Sequence, residues 1–314
     1  MKYMSLLIRY IIISCLFMII RFVHKHFIME ELNLQTRYGF NSWACITGCS
    51  SGQGKQFAIQ LAKRGFNIIL IGRERIKEVE KIINNKYQGI KTVCVVKDFS
   101  LSFDDDFFDD IQEVLDNRDV SILINNVGYR TAWRPYYDMP TKLIKDTIAV
   151  GTMVQCRLIQ LILPNFLKRK LKFNKSIIVN ITAQCVHPNI GFGIENEISV
   201  PYMSVYEASN AFGYYHSNSV YKEFKDDIDY LTITPGAVIT ENTIFLKNTI
   251  FSIDAETYVE NVIRFMGNVN GTHCAYWGHE LSSILINLAP SMKTKVLEEV
   301  GANICKNIQT NIIN

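Results

Sequence analysis

The sequence predicts an α/β fold: a doubly wound parallel sheet in a single domain, preceded by an N-terminal membrane-anchor helix. Three observations carry this expectation. Short segments that are apolar without alternation recur along the chain, segments with helical spacing stand between them, and a glycine-rich turn joins the first strand to the first such helix. Strands apolar on both faces and linked by helices fit a parallel sheet covered on both sides. With 314 residues, 48% hydrophobic and 20% charged, the chain can bury a sizeable core and does not read as disordered.

Residues 6–23 are mostly apolar. As a helix they would rise about 27 Å, close to the hydrocarbon core of a bilayer. Arg9 interrupts the run one turn from its start and can snorkel to the interface. The residues that follow, Arg21-Phe-Val-His-Lys-His26, hold no small-x-small cleavage site, which favours an uncleaved anchor over a signal peptide. A helix lying in the interface plane is the rival reading. Arg21 and Lys25 beyond the span, against Lys2 before it, give a slight bias toward a cytoplasmic main domain. Eight cysteines in apolar contexts, with no C-x-x-C pair, read as reduced buried thiols and agree with that compartment. The expected organisation is an anchor at 1–27, a main domain at 40–290 and a helical tail at 291–314.

After a polar connection at 30–41, strands are expected at 42–46, 67–71, 92–96, 120–124, 176–181 and 230–234. The helix at 55–64 carries Phe57 and Leu61 on one face, with Gly65 as its C-terminal cap. A second helix at 75–87 carries Ile76, Val79 and Ile83. The acidic run 104–110 reads as the solvated start of a helix ending near Leu115, where carboxylates complement the helix N-terminus, rather than as a metal site.

The turn Thr47-Gly-Cys-Ser-Ser-Gly-Gln-Gly54 stands between strand and helix. Gly48, Gly52 and Gly54 let the backbone turn sharply and approach a pyrophosphate, while the helix presents free N–H groups and its positive dipole end. Where the second strand ends, Gly72-Arg73 replaces the carboxylate that would bond a ribose 2′-hydroxyl. A 2′-phosphate is not repelled there and Arg73 can pair with it, so NADP(H) is favoured over NAD(H). A net charge of +3 without a basic block gives no reason to expect a nucleic-acid partner.

The pattern T-G-x-x-x-G-x-G resembles that of the short-chain dehydrogenase/reductases, a family with a Rossmann-type domain. Further landmarks follow in order: Asp98-Phe99 resembles the adenine-contacting Asp, and Asn125-Asn-Val-Gly128 the N-N-A-G motif. Tyr206 opens the Y-x-x-x-K helix, and Pro235-Gly-Ala-Val-Ile-Thr240 resembles the P-G-x-V-x-T stretch beside the nicotinamide. The resemblance implies that Thr47, Gly48, Ser50, Ser51, Gly52, Gly54, Arg73, Asp98, Asn125, Asn126, Gly128, Asn210, Pro235, Gly236, Val238 and Thr240 bind the cofactor. Trp43-Ala-Cys-Ile-Thr-Gly48, Leu161-Ile-Leu-Pro164 and Asp254-Ala-Glu-Thr-Tyr-Val259 look like the membrane-bound group of very-long-chain 3-oxoacyl-CoA reductases and 17β-hydroxysteroid dehydrogenases. That group implies reduction of a lipid ketone by NADPH at the endoplasmic reticulum.

The family's catalytic set is a Tyr, a Lys four residues on, a Ser and a helical Asn. Tyr206 is present, but the Lys position is Asn210, the Ser position is Ala183, and the Asn position, counted back from Pro164, is Gly151. Without a neighbouring cation a Tyr hydroxyl stays near its ordinary pKa of about 10. Thr182 is one residue off and alternation along a strand points it to the other face. Thr182, Gln184 or Ser204 could supply a polar group if the loop folds back. No Lys or Arg lies between Ala183 and Lys222. His187, His216 and His279 each stand without a telling partner and read as structural.

The loop 187–203 is longer than usual in the family; it could shape an acyl or sterol pocket or occlude it. The apolar stretches 281–288 and 296–304 are too short to span a bilayer and could pack on the domain or dip into a membrane. Two readings remain. One is an anchored NADPH-dependent reductase of a small-molecule lipid substrate, with Tyr206 and Thr182 as its polar catalytic residues. The other is a relative impaired in catalysis that binds NADP(H) as a sensor or scaffold, as a homo-oligomer or in a lipid-elongation complex.

Overall fold

The structure, a computed structural model, describes residues 2–129, 134–171, 174–184, 201–241, 243, 247 and 249–288. His187, most of the long loop, and the tail 291–314 lie outside them.

Six strands fall within a residue of the expected spans at each end: β1 (Trp43–Thr47), β2 (Asn67–Gly72), β3 (Thr92–Val96), β4 (Val120–Asn125), β5 (Ile177–Ile181) and β6 (Asp229–Ile233). Short strands β7 (Ala237–Ile239) and β8 (Ser252–Asp254) pair with each other, and β9 (Gly271–His273) closes the main sheet. The sheet order is β3-β2-β1-β4-β5-β6-β9, parallel throughout. The order reverses between β1 and β4, so a crevice opens at their C-terminal ends. The sequence signal missed β9 because Gly-Thr-His has no apolar run; its register against Leu231, Thr232 and Ile233 makes it a strand.

The helices are α1 (Lys2–Val23), α2 (Leu34–Tyr38), α3 (Gly52–Lys63), α4 (Ile76–Lys86), α5 (Asp109–Asp116), α6 (Thr141–Ile148), α7 (Val154–Leu171), α8 (Ser204–Phe224), α9 (Ala255–Phe265) and α10 (Trp277–Leu288). Strand residues divide by parity. Ala44, Ile46, Ile68 and Leu70 join one core with Phe57, Leu61, Val79, Ile83 and Tyr258, from α3, α4 and α9. Cys45, Ile69, Leu123 and Ile178 join another with Ile111, Leu115, Leu158 and Phe166, from α5 and α7. Period-two alternation feeding two helical layers is the doubly wound arrangement.

Two local expectations change. Only Asp109 and Asp110 of the acidic run stand in the first turn of α5; the preceding residues form turns because Phe107 and Phe108 are buried there. Lys25 is not a free flanking charge, since it is ion-paired with Glu280 in α10. The stretch Leu6–Ile28, with a mean hydropathy of 2.3 over an eighteen-residue window that is unburied, is long and apolar enough to cross a membrane; His26 at its end is buried. It ends in a π-helical turn at His24–Ile28.

Candidate functional site

The glycine turn is built by backbone constraints. Gly48 and Gly52 hold φ of +66° and +54°, values that favour glycine. Gly48 N–H donates to the Ile71 carbonyl at 2.9 Å, tying the turn to β2. Gly54 has no room for a side chain, since a Cβ there would lie 2.4 Å from the Gly48 oxygen. Thr47 Oγ1 accepts from the Asn126 and Val127 N–H groups at 3.0 and 3.1 Å, and Asn126 Nδ2 donates to the Thr47 carbonyl at 3.0 Å. Asn125 donates to Asn180 at 2.8 Å. The side chains of Thr47, Asn125 and Asn126 thus brace the ends of β1, β4 and β5.

What faces the crevice is backbone. Ser51 precedes α3 in an extended conformation without a side-chain cap, so the first N–H groups of the helix have no side-chain acceptor from it. Ser50 and Ser51 are half-buried. Gln53 Oε1 is buried and finds no donor among the described residues. Gly128 is exposed, and a Cβ there would have no described neighbour within 4 Å. An open crevice beside a backbone cradle, with an unpaired acceptor in the turn, fits a dinucleotide.

Beyond the turn lies a cavity of about 330 Å³ lined by Arg73, Asp98, Ser100, Tyr129, Pro140, Lys142, Leu143 and Asp146. Arg73, just after β2, and Asp98, just after β3, therefore line one space. Asp98 also accepts from Ser100 N–H at 3.1 Å. The opposite wall was not anticipated: Asp146 accepts from Tyr129 at 2.8 Å and from Lys142 at 2.7 Å, and these contacts hold its carboxyl below the ordinary range.

At the other end of the crevice the catalytic positions are repacked. Asn210 Nδ2 donates back to the Tyr206 carbonyl at 2.9 Å, and Ser209 Oγ donates to the same oxygen at 2.8 Å. The amide at the Lys position is thus engaged by its own helix. Gly151 sits in a π-helical turn, Ala149–Met153, between α6 and α7. A Cβ on Gly151 would meet Ser209 Cβ and Oγ at 2.7 Å, so Ser209 occupies the space an Asn needs. Ala183 is buried. Thr182 is buried too, its hydroxyl donating to the Ile233 carbonyl at 3.1 Å. His216 contacts Gln155 at 3.0 Å and stacks on Phe212.

Gln184 and α10 close this end. Gln184 Nε2 lies 2.6 Å from the His279 carbonyl, 2.9 Å from Ser282 Oγ and 2.6 Å from Ser283 Oγ. His279 Nδ1 accepts from Gly236 N–H at 3.1 Å, leaving Nε2–H to donate to the Ala237 carbonyl at 3.2 Å. Burial lowers the His279 pKa to about 4, which keeps that tautomer neutral. Pro235 and Val238 are buried; Thr240 N–H donates to Thr243 Oγ1 at 2.8 Å. Sequence reasoning named Gln184 and His279 without their partners, because contacts across about 40 to 100 residues leave no local pattern.

Comparison with known proteins bears on what this site does. The family model for short chain dehydrogenases matches residues 42–249. A very-long-chain 3-oxoacyl-CoA reductase of Rattus norvegicus is 32% identical over 231 residues, covering 72% of this chain and 68% of its own. Hydroxysteroid dehydrogenase-like protein 1 of Gallus gallus is 30% identical over 267 residues, covering 82% and 74%. Among solved structures, a 7beta-hydroxysteroid dehydrogenase superposes with a TM-score of 0.68 at 16% identity, covering 85% of this chain and 99% of that one. A short-chain dehydrogenase from Sphingobium yanoikuyae in complex with NADPH gives 0.60 at 20% identity, covering 80% and 96%.

Proposed function

The chain belongs to the short-chain dehydrogenase family, and from that premise we propose that it binds NADP(H) at the crevice between β1 and β4 and reduces the ketone of a lipid, a 3-oxoacyl-CoA or a 17-oxosteroid, at the endoplasmic reticulum membrane. The observation that carries this is Arg73 and Asp98 lining one cavity beyond an open glycine turn. The N–H groups at Ser51, Gly52 and Gln53 hold the pyrophosphate, Arg73 the 2′-phosphate and Asp98 the adenine. Gly128, Pro235, Gly236, Val238 and Thr240 flank the nicotinamide end. Solved NADP and NADPH complexes among structures of this fold support the choice of coenzyme. The very-long-chain 3-oxoacyl-CoA reductases among its relatives support the substrate class. The membrane assignment rests on the apolar helix α1, with 1–27 as anchor, 40–290 as the catalytic domain and 291–314 as a tail.

NADPH held there would provide the hydride for the carbonyl carbon. Tyr206 supplies the matching proton to the carbonyl oxygen, converting the ketone to an alcohol. Asn210 brings no charge to assist Tyr206, and Thr182 would have to give up Ile233 to reach the oxygen. Turnover is therefore slow, with a general-acid contribution below the about 10²–10⁴ such groups supply when tuned.

A second reading is favoured by one contact. Ser209 fills the space beside Gly151, a repacking suited to a nucleotide-binding sensor or scaffold that no longer turns over. Purified full-length protein titrated with NADPH, then mixed with a 3-oxoacyl-CoA or an oxosteroid while absorbance at the reduced-nicotinamide band is followed, separates the two. Saturable binding with slow, Tyr206-dependent oxidation supports the reductase. Binding with no oxidation supports the second reading, and no binding removes both.

A further inference from the structure

Helix α10 has two working faces. Trp277, Glu280 and Ile284 follow helical spacing on one, and His279, Ser282 and Ser283 stand on the other. The first face meets the end of the apolar N-terminal segment. Glu280 pairs with Lys25 and lies 2.6 Å from His26 Nε2, while Trp277 packs on Phe27 with ring centroids 6.3 Å apart. Lys25 and His26 expose only 12% and 1% of their side chains, so this is a built junction rather than a surface ion pair. The second face holds the rim of the site through Gln184 and, by way of His279, the Gly236–Ala237 backbone.

The apolar surface of α1 also continues past this junction. Ile19, Ile20, Phe27 and Ile28 are more than half exposed, and Ile284 and Leu285, one turn beyond Glu280, are 40% and 48% exposed. An apolar surface that begins on a segment long enough to cross a bilayer and runs on to a neighbouring helix calls for one partner, the same lipid phase.

We propose that α10 is a membrane-contacting strut. Its Glu280 face locks the end of α1 to the domain, Ile284 and Leu285 rest in the lipid interface, and its Ser282–Ser283 face keeps the Gln184 rim at that surface. The inference rests on the reading of α1 as a membrane anchor and deepens it, because it sets the substrate end of the crevice beside the bilayer. The substrate class it fits is a lipid delivered from the membrane. The nucleotide end lies toward β3, about 29 Å across the sheet from β9 at strand spacing of about 4.8 Å, and stays in water.

The test uses full-length protein in phosphatidylcholine vesicles containing brominated lipid. An environment-sensitive fluorescent residue replaces Leu16 on α1, Leu285 on α10, or Leu101 beyond β3. Lipid quenching at 16 and 285 but not at 101 is the expected result. Quenching at 16 without 285 overturns the strut and leaves the anchor standing, and quenching at neither overturns both. NADPH titration of the same samples reports the nucleotide reading independently. In the Glu280→Gln protein, quenching at 285 should fall while that at 16 persists and NADPH affinity is unchanged. Should Glu280→Gln fail to fold, Ile284→Asp, on an exposed position, is expected to lower quenching at 285 without changing the melting temperature. Undiminished quenching at 285 in a folded variant of either kind contradicts the proposal.

Discussion

Replacing Gly128 by alanine separates binding from folding. Gly128 is exposed, is not among the positive-φ glycines, and a Cβ there has no described neighbour within 4 Å. The folded chain therefore accepts the methyl, and reduced freedom of the unfolded chain should stabilise by about 0.4–1 kcal/mol. If the dinucleotide passes the end of β4, the methyl enters its space. One overpacked contact costs about 1–3 kcal/mol, a rise in Kd of about 5- to 150-fold. Gly54→Ala is the contrast, because its methyl would lie 2.4 Å from the Gly48 oxygen and 2.5 Å from Asn126 Nδ2. Overpacking and loss of the Asn126 bonds together cost about 2–6 kcal/mol, offset by about 1 kcal/mol of helix propensity. Urea melts without nucleotide and NADPH titrations by fluorescence read both variants. Gly54→Ala should lose stability and binding together, Gly128→Ala binding alone. A stably folded Gly128→Ala protein with parental NADPH affinity would refute the path past β4.

Arg73→Gln should weaken NADPH by about 10- to 150-fold, the loss of a charge-assisted contact of about 1.5–3 kcal/mol, and leave NADH unchanged in competition titrations. Asn210→Lys with Ala183→Ser should raise single-turnover NADPH oxidation by about 10²–10⁴. Adding Gly151→Asn to that pair should lower the melting temperature without further gain unless Ser209→Gly makes room, because of the 2.7 Å approach to Ser209. Burial holds His279 near pKa 4 in the folded chain against 6.5 for the free group, so between those values the unfolded chain binds the extra proton. His279 alone should thus cost about 3 kcal/mol of stability as pH drops from about 6.5 to about 4, measured by urea melts; His279→Gln should remove that part of the slope and leave the part from His273, which burial also lowers to about 4.

The sheet was legible because β1, β2, β4 and β6 are apolar on both faces and a parallel sheet demands that. The turn was legible because Gly48 after β1 and Gly52 and Gly54 in the first turn of α3 answer a backbone requirement. Asp98 and Arg73 stand at strand ends where the sequence drew attention to them, yet their shared cavity also depends on Tyr129 after β4 and on Lys142 and Asp146 in α6, which have no common sequence spacing with them. Asn210, Ala183 and Gly151 were recognisable as departures from a pattern. That Ser209 had taken the vacated volume was not, because packing between α8 and the turn at Ala149–Met153 joins residues nearly sixty apart. The Lys25–Glu280 pair spans still more of the chain.

These differences bear on what the intact glycine turn proves. Gly48 is held to Ile71, Gly54 has no space for a Cβ, and Thr47 and Asn126 brace β1 against β4. Each contributes to the packing of the turn against the sheet, whether or not a nucleotide binds. A chain that had abandoned binding would keep them, as a chain losing catalysis can still keep its buried strands. The turn is therefore weak evidence for present binding. Arg73 is different: it is exposed and no ion pair of the described residues uses it, so the fold gains little from it. Its place on the cavity wall is therefore the feature a nucleotide titration of a variant tests most directly. The discriminating measurement for nucleotide binding is thus the NADPH-against-NADH preference of Arg73→Gln rather than any property of the glycines.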